Sequence, residues 1–375
     1  MKLLDNLTGE VLLDKTKSGR ERPWKLHKTN SQLLSEAFER LGKQNKAEKV
    51  CNCGSSLKFN VCPQGHEKKL TWANFCRVRL CPMCSWRRSL LVAYQLKQVA
   101  HEAVKRQPLR WLFLTLTVRN CSGDDLDKTI NLMMKAFHKL SRRKQFNDSV
   151  VGWFRAFEIT RNMFEDSYHP HFHVLIGVQP SYFRNKDKYL KHDDWVKLWQ
   201  ESLQIDYKPV VDIRIVKQKR NIDKEVQILE EKGIHIEADG SFVDSQLSGS
   251  AVAELAKYST KSEDYIVYNR YRQKQKGKDV QLLPDPRYGI DENKTDEVVS
   301  VLDATLSRRR LLAYGGLLKE VWNELQLDDV EEESADLIHA DDNSSCPCSV
   351  CGSNMLEELY TWIPGVKNYV KKEKE

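Results

Sequence analysis

Long apolar runs are missing from this 375-residue sequence, and none approaches the roughly 20 residues that cross a bilayer. The opening residues, Met1 to Asp5, lack the basic-then-apolar layout of a secretory signal, so the chain is expected to stay cytoplasmic and off the membrane. No Gly-x-x-x-x-Gly-Lys-Ser/Thr loop occurs, which argues against an ATPase or helicase activity of its own. There is no internal repeat and no long low-complexity tract, so the chain is not a repeat array. Global disorder is excluded too, because 40% hydrophobic and 9% aromatic residues suffice for a sizeable core.

What is present divides unevenly along the chain. The length exceeds one compact core, domains running to about 100–200 residues, so two domains with tails are expected. A net charge of +7 conceals an asymmetry. Residues 1–110 carry 22 Lys+Arg against 9 Asp+Glu, whereas residues 321–375 carry 4 against 13. The basic amino-terminal third suits a polyanion, because neutralising phosphates releases condensed counterions. The acidic stretch Asp328–Asp342 reads as a solvated or disordered segment.

Ten cysteines in a cytoplasmic chain point to metal rather than disulfides, and all but Cys121 fall in two tight groups. In the first, Cys81-Pro82-Met83-Cys84 has the knuckle spacing that wraps tetrahedral Zn²⁺. Cys62, Cys76, Cys81 and Cys84 are the expected structural zinc set, with Cys51, Cys53 and His66 as further candidates. Arg77, Arg79, Arg87 and Arg88 surround them with charge suited to DNA, and Trp72 and Trp86 are expected to stack on bases. In the second group, Cys346, Cys348 and Cys351 read as half a zinc ribbon, which His339 could complete.

The best-ordered signals lie in the middle. A helix is expected from Trp86 to about Lys105, a strand over Trp111–Val118, and a helix from Gly123 whose apolar face is Leu126, Ile130, Met133, Phe137 and Leu140. Strands Trp153–Thr160 and Phe172–Val178 flank a polar connector, Arg161–His169. A helix opening at Asp193 or Asp194, a strand Pro209–Val216, an irregular region 217–249 and a helix from Ala251 to about Tyr265 follow. This order fits an α+β fold: a central antiparallel sheet with helices on one face, nearest to a ferredoxin-like split βαβ, beside an N-terminal zinc-binding module.

His169-Pro170-His171-Phe172-His173 places His171 and His173 on one face of a strand, with Phe172 turned to the core. Two imidazoles can bind a divalent cation and leave positions open, and Glu158 on the preceding strand is the expected third ligand. That donor set suits Mn²⁺ or Mg²⁺, either of which polarises a phosphate oxygen. Glu254, Tyr258 and Lys261 fall at i, i+4 and i+7, one polar stripe of a helix. A phenol ionises only near ~10, so an attacking Tyr258 needs a metal-polarised phosphate, a nearby cation such as Lys257 or Lys261, or both. Glu254 could serve as general base.

Together these residues resemble the HUH endonucleases, and most nearly the single-tyrosine replication initiators of small rolling-circle plasmids of Gram-positive bacteria. The likeness rests on Phe113-Leu114-Thr115-Leu116-Thr117, the His-Pro-His-Phe-His strand and Glu254-x-x-Lys257-Tyr258-x-x-Lys261 in that order, and on the cysteine–arginine stretch Cys76–Arg88. It covers about residues 50–265. The resemblance implies a site-specific nickase: Tyr258 attacks a phosphodiester at the double-strand origin, leaving a 5′-phosphotyrosine and a 3′-hydroxyl primer. His171, His173 and Glu158 hold the metal, Glu254 activates water to end the cycle, and Lys261 contacts the scissile phosphate or orients the phenol. A host helicase and polymerase are implied as partners, and a homodimer is left open. Segments 1–50 (basic), 51–105 (zinc-binding and DNA-contacting), 106–270 (HUH domain), 271–325 (helical extension) and 326–375 (acidic tail with cysteines) form the expected organisation. The competing readings are an HUH transposase or relaxase, and a non-catalytic zinc-dependent DNA-binding regulator. Tyr265 is the alternative nucleophile.

Overall fold

The computed structural model describes residues 7–16, 19–216, 247, 249–257, 259–276, 279–340 and 347–373. Tyr258, Cys346 and most of the irregular region 217–249 therefore lie outside the described residues. In chain order the first elements are β1 (Leu7–Val11), α1 (Trp24–Arg40), α2 (Gln44–Asn52), β2 (Ser56–Val61), β3 (Lys68–Ala73) and α3 (Pro82–Arg106). Pro82 starts α3, where its missing N–H leaves no bond unmade, and Lys105 and Arg106 close it, where cations suit the helix dipole. Its buried face includes Leu90, Leu91, Ala93, Leu96 and Val99, the stripe expected from the sequence.

The central elements are β4 (Arg110–Thr117), α4 (Gly123–Leu140), α5 (Lys144–Ser149), β5 (Gly152–Asn162), β6 (Ser167–Val178), α6 (His192–Leu203) and β7 (Val211–Ile215). Ser122 caps α4 by accepting the Asp125 N–H at 3.3 Å. After them come α7 (Gly249–Leu255), α8 (Ser262–Tyr265), β8 (Tyr271–Lys276), β9 (Asp279–Pro284), α9 (Glu292–Leu306), β10 (Leu312–Gly316), α10 (Leu317–Glu324), β11 (Leu356–Ile363) and β12 (Asn368–Lys372).

The central sheet has the order β10-β5-β6-β4-β7, with every neighbouring pair antiparallel. β5 and β6 form a hairpin in which Phe157 faces Phe172, and Phe172 packs on Phe137 of α4 and Trp199 of α6. That face is covered as expected. The opposite face is covered as well, by α7 on β6 and α10 on β5, with α3 packed against both helices, because β6 is buried on both sides along almost its whole length and such a strand needs two covers. The connector Arg161–His169 is also shorter than the sequence suggested. Pairing continues through Asn162 and Ser167, since ladder hydrogen bonds hold polar strand ends that no core supports.

A second antiparallel sheet has the order β1-β12-β11-β2-β3. It unites the segments expected to stand apart as 1–50, 51–105 and 326–375, since β11 pairs with β2 and β12 with β1. The acidic stretch, as far as it is described (328–340), is not wholly solvated either. Val330, Ala335, Leu337 and Ala340 are buried, with the carboxylates between them turned outward or paired. The expected helical extension 271–325 opens instead with the β8–β9 hairpin, and its β10 joins the central sheet beside β5. Its α-helices among the described residues are α9 and α10, with a short 3-10 turn at Pro286–Tyr288.

Candidate active site and cysteine clusters

The β5–β6 register sets Glu158 directly opposite His171, and His173 one pleat further on the same face. Glu158 Oε2 lies 3.4 Å from His171 Nε2 and 3.2 Å from His173 Nε2. The three donor atoms fall within 4.8 Å of one another, and all three residues are buried. Each ring is held from behind. His171 Nδ1 donates to the His169 carbonyl at 3.0 Å, and His173 Nδ1 meets Thr115 Oγ1 of β4 at 3.3 Å. This arrangement aims both Nε2 atoms at the carboxylate, the pairing of outer and inner shells found at metal sites.

Glu158 Oε1 is buried and has no hydrogen-bond partner among the described residues. An unsatisfied carboxylate oxygen beside two imidazole nitrogens fits a divalent cation. Burial pushes the Glu158 carboxyl up, but hydrogen bonds to His171 and His173 and the Lys257 ammonium outweigh it and hold the group well below the usual carboxylate range. Burial, with the neighbouring His171, lowers His173 and keeps it neutral as a ligand must be.

The expected helical stripe is broken. α7 ends at Leu255, and Ser259 has φ +50° and pairs in parallel with Glu158, its carbonyl accepting the Ile159 N–H at 2.8 Å. Pairing with the edge of β5 outcompetes helix continuation. Glu254 still reaches the site, 4.0 Å from His173 Nε2 and ion-paired with Lys257, whose ammonium is 3.8 Å from Glu158. Lys261 is exposed at the start of α8, away from Glu254, so the two do not share a face. Tyr258 is outside the described residues, but both its chain neighbours, Lys257 and Ser259, lie against Glu158. Tyr265 is unsuited to attack: it is fully buried, donates to the Leu80 carbonyl at 2.7 Å, and burial raises its phenol far above the ordinary value. Two contributors were not read from the sequence. Thr115 lay in a strand identified only by its pattern. Asp264 accepts the backbone N–H of Arg161 at 3.2 Å and of Lys261 at 3.1 Å, fastening the segment after Tyr258 to β5, and burial pushes it up to about 6.

The cysteines form two tetrads, with one exchange relative to expectation. Cys53, not Cys62, joins Cys76, Cys81 and Cys84, with Cys53 and Cys76 Sγ at 3.5 and 3.8 Å from Cys84 Sγ. The backbone N–H groups of Cys76 and Arg77 donate to Cys53 and Cys84 sulfur at 3.3 and 3.2 Å, as amides do to metal-bound thiolates. Cys62 belongs with His66, Cys348 and Cys351. Cys51 is exposed and in neither group, its carbonyl accepting from Lys28 at 2.6 Å. His339 is engaged by Asp336 at 2.6 Å and completes nothing, and Cys346 lies outside the described residues.

The arginines expected on DNA are instead engaged within the fold. Arg87 donates to the carbonyls of Leu337 and Ile338 at 2.8 and 2.7 Å, and Arg77 to that of Ala335 at 2.7 Å. Arg79 pairs with Glu331 at 3.0 Å, and Arg88 donates to the Arg77 carbonyl at 2.8 Å. Arg87 and Arg88 are buried. Trp86 is buried too, against Trp24 and His27, so it cannot stack on a base, whereas Trp72 is 47% exposed.

Residues 67–370 match the family described as replication protein. A protein named Protein rep from Bacillus amyloliquefaciens is 39% identical over 369 residues, covering 96% of this chain and 97% of the relative. Another Protein rep, from Streptococcus pneumoniae, is 35% identical and covers 97% of each chain. A third, from Lactiplantibacillus plantarum, is 37% identical and covers 89% of this chain and 90% of its own length. No solved structure matches.

Proposed function

The chain belongs to this replication-protein family, and from that premise we propose that it initiates rolling-circle plasmid replication by nicking one strand of the double-strand origin. The observation that carries this reading is the buried Glu158–His171–His173 group, with Lys257 and Glu254 beside it. Tyr258 is the proposed nucleophile. Its phenol gives up its proton to water, the phenolate oxygen bonds to the scissile phosphorus, the P–O3′ bond breaks, and the departing O3′ takes a proton from water to become the 3′-hydroxyl that primes synthesis, while the 5′-phosphate stays on the tyrosine.

His171, His173 and Glu158 would hold Mn²⁺ or Mg²⁺, which when bound polarises a phosphate oxygen. The Lys257 ammonium, adjacent in the chain to Tyr258, favours the phenolate and so lowers the cost of ionising it. Glu254 takes the proton from water, or from an incoming 3′-hydroxyl, when the phosphotyrosine is resolved. Lys261, exposed one segment further on, contacts the DNA backbone. Cys53, Cys76, Cys81 and Cys84 would hold a structural Zn²⁺. The setting is the cytoplasm, with a host helicase and polymerase extending the primer. No helix among the described residues is long and apolar enough to cross a membrane.

The test is incubation with Mn²⁺ and supercoiled plasmid bearing the candidate origin, followed by a denaturing gel. Nicking with protein linked to the 5′ end, both lost in Tyr258→Phe, is the expected result. Nicking that survives Tyr258→Phe would move the nucleophile elsewhere. Origin binding without any cleavage by the wild type would favour a non-catalytic regulator.

A further inference from the structure

Cys62 and Cys351 are 289 residues apart in the chain, yet their sulfurs lie 3.5 Å from each other. The approach follows from strand register. β11 pairs with β2 so that Leu356 stands opposite Val61, which brings the residue after β2 and the turn before β11 to the same end of the sheet. Each partner is a turn shaped to present donors inward. In the β2–β3 connection the Cys62 N–H donates to the Glu67 carbonyl and the Gly65 N–H to the Cys62 carbonyl, both at 2.8 Å. In the other turn the Gly352 N–H donates to the Cys348 carbonyl at 2.8 Å, and the Cys348 N–H to the Ser353 carbonyl at 3.0 Å. Gly65 and Gly352 take φ of +78° and +68°, which a side chain would strain.

The two turns are also tied across. The Glu67 carboxylate accepts both the N–H of Ser349, at 2.9 Å, and its hydroxyl. His66 Nδ1 is 3.7 Å from Cys62 Sγ, and all four donor atoms lie within 4.8 Å. Sulfurs 3.5 Å apart are not bonded, since a disulfide needs about 2.05 Å. Three thiolates and an imidazole, two donors from each knuckle, are a closed tetrahedral set that selects zinc over the hard cations suited to Glu158.

We propose that Cys62, His66, Cys348 and Cys351 bind a second zinc ion that staples the carboxy-terminal strand pair β11–β12 to the amino-terminal hairpin β2–β3. The ion closes a loop that spans most of the chain, so its binding energy becomes folding energy for the second sheet. This staple is separate from the nicking reaction and does not rest on it.

Zinc content decides the matter. In a His171→Ala/His173→Ala background, which removes the carboxylate–imidazole site from the count, the full chain is expected to carry two zinc ions. Adding Cys348→Ser/Cys351→Ser is expected to remove one and to raise amide exchange in both 56–73 and 356–372 by tenfold or more. A single zinc before the cysteine changes, or two after them, would overturn the staple. If the double serine variant does not fold, the His66 series replaces it. His66→Ala is expected to weaken one zinc about 100-fold and His66→Cys to restore it, and equal affinity in the two would overturn the proposal. Absence of nicking in any of these samples leaves the zinc count, and so the staple, standing.

Discussion

The Glu158–His171–His173 group and the cysteine tetrads handle the same task, gathering donors, in opposite ways. The triad draws on two neighbouring strands, with Glu158 and His173 15 residues apart, and its rings are already held by His169 and Thr115. Its three donors leave coordination positions free for substrate. The tetrads draw on loops and, at Cys84, on the first turn of α3; they span 31 residues between Cys53 and Cys84 and 289 between Cys62 and Cys351, and offer four donors each. The triad is thus organised by the fold, whereas the tetrads, if loaded as proposed, would organise it. Loss of a triad donor should cost chemistry and leave the chain folded. Loss of a tetrad donor should cost folding.

The largest effect tests the first half of that contrast. Glu158→Gln is expected to lower the nicking rate at least about 1,000-fold, equivalent to roughly 4 kcal/mol, while thermal melting of the metal-free protein moves by only a few degrees. A melting loss that matches the loss of activity would erase the distinction. Next is Cys84→Ser, which would leave two buried thiols and the half-buried Cys76 without the proposed ion and should destabilise the protein by about 3 kcal/mol or more in a urea titration. A strong zinc chelator should shift the wild type by a similar amount.

A smaller effect concerns the strap beside the triad. Burial raises Asp264 from 3.8 to about 6, against the amide hydrogen bonds it accepts, so the fold favours its neutral form. Its contribution is full below about pH 4 and is lost as pH rises through about 6. Asp264→Asn should therefore gain on the wild type between pH 5 and 7.5 by on the order of 1 kcal/mol, read from denaturation midpoints across that range. Parallel pH profiles would remove Asp264 from the account. The smallest effect is expected at Arg79, whose partner Glu331 also accepts the Leu311 and Leu312 N–H groups at 2.9 and 3.2 Å. Arg79→Ala should cost less than about 1 kcal/mol and change origin affinity less than about twofold in a filter-binding titration at physiological salt.

Legibility in the sequence followed the range of the interactions. Period-two alternation placed His171 and His173 on one face and Phe172 on the other, because strand geometry is local. The helices α3 and α4 were legible for the same reason, as one apolar stripe each. The exchange of Cys62 for Cys53 was not, because which cysteine meets which depends on β11 finding β2 across most of the chain. Arg87 looked like a DNA contact because its carbonyl partners arrive 250 residues later. β8 is written in Arg, Lys and Gln after Tyr271, with no apolar alternation, so its pairing with β9 is defined by ladder hydrogen bonds and not by a hydrophobic pattern of its own. The segment after Leu255 has helical periodicity, but the positive φ at Ser259 and its pairing with Glu158 are tertiary facts.

The strand order of the second sheet has a consequence for how the chain is made. β1 and β2 emerge from the ribosome early, but in the finished sheet β12 and β11 stand between them. Until residues 356–372 have been synthesised, that sheet has a two-strand gap with two open edges, which invite pairing with other chains. The central sheet needs nothing beyond β10 and can form first. Translation therefore yields the Glu158–His171–His173 group before the amino-terminal sheet is whole, and products cut short of residue 356 are expected to aggregate.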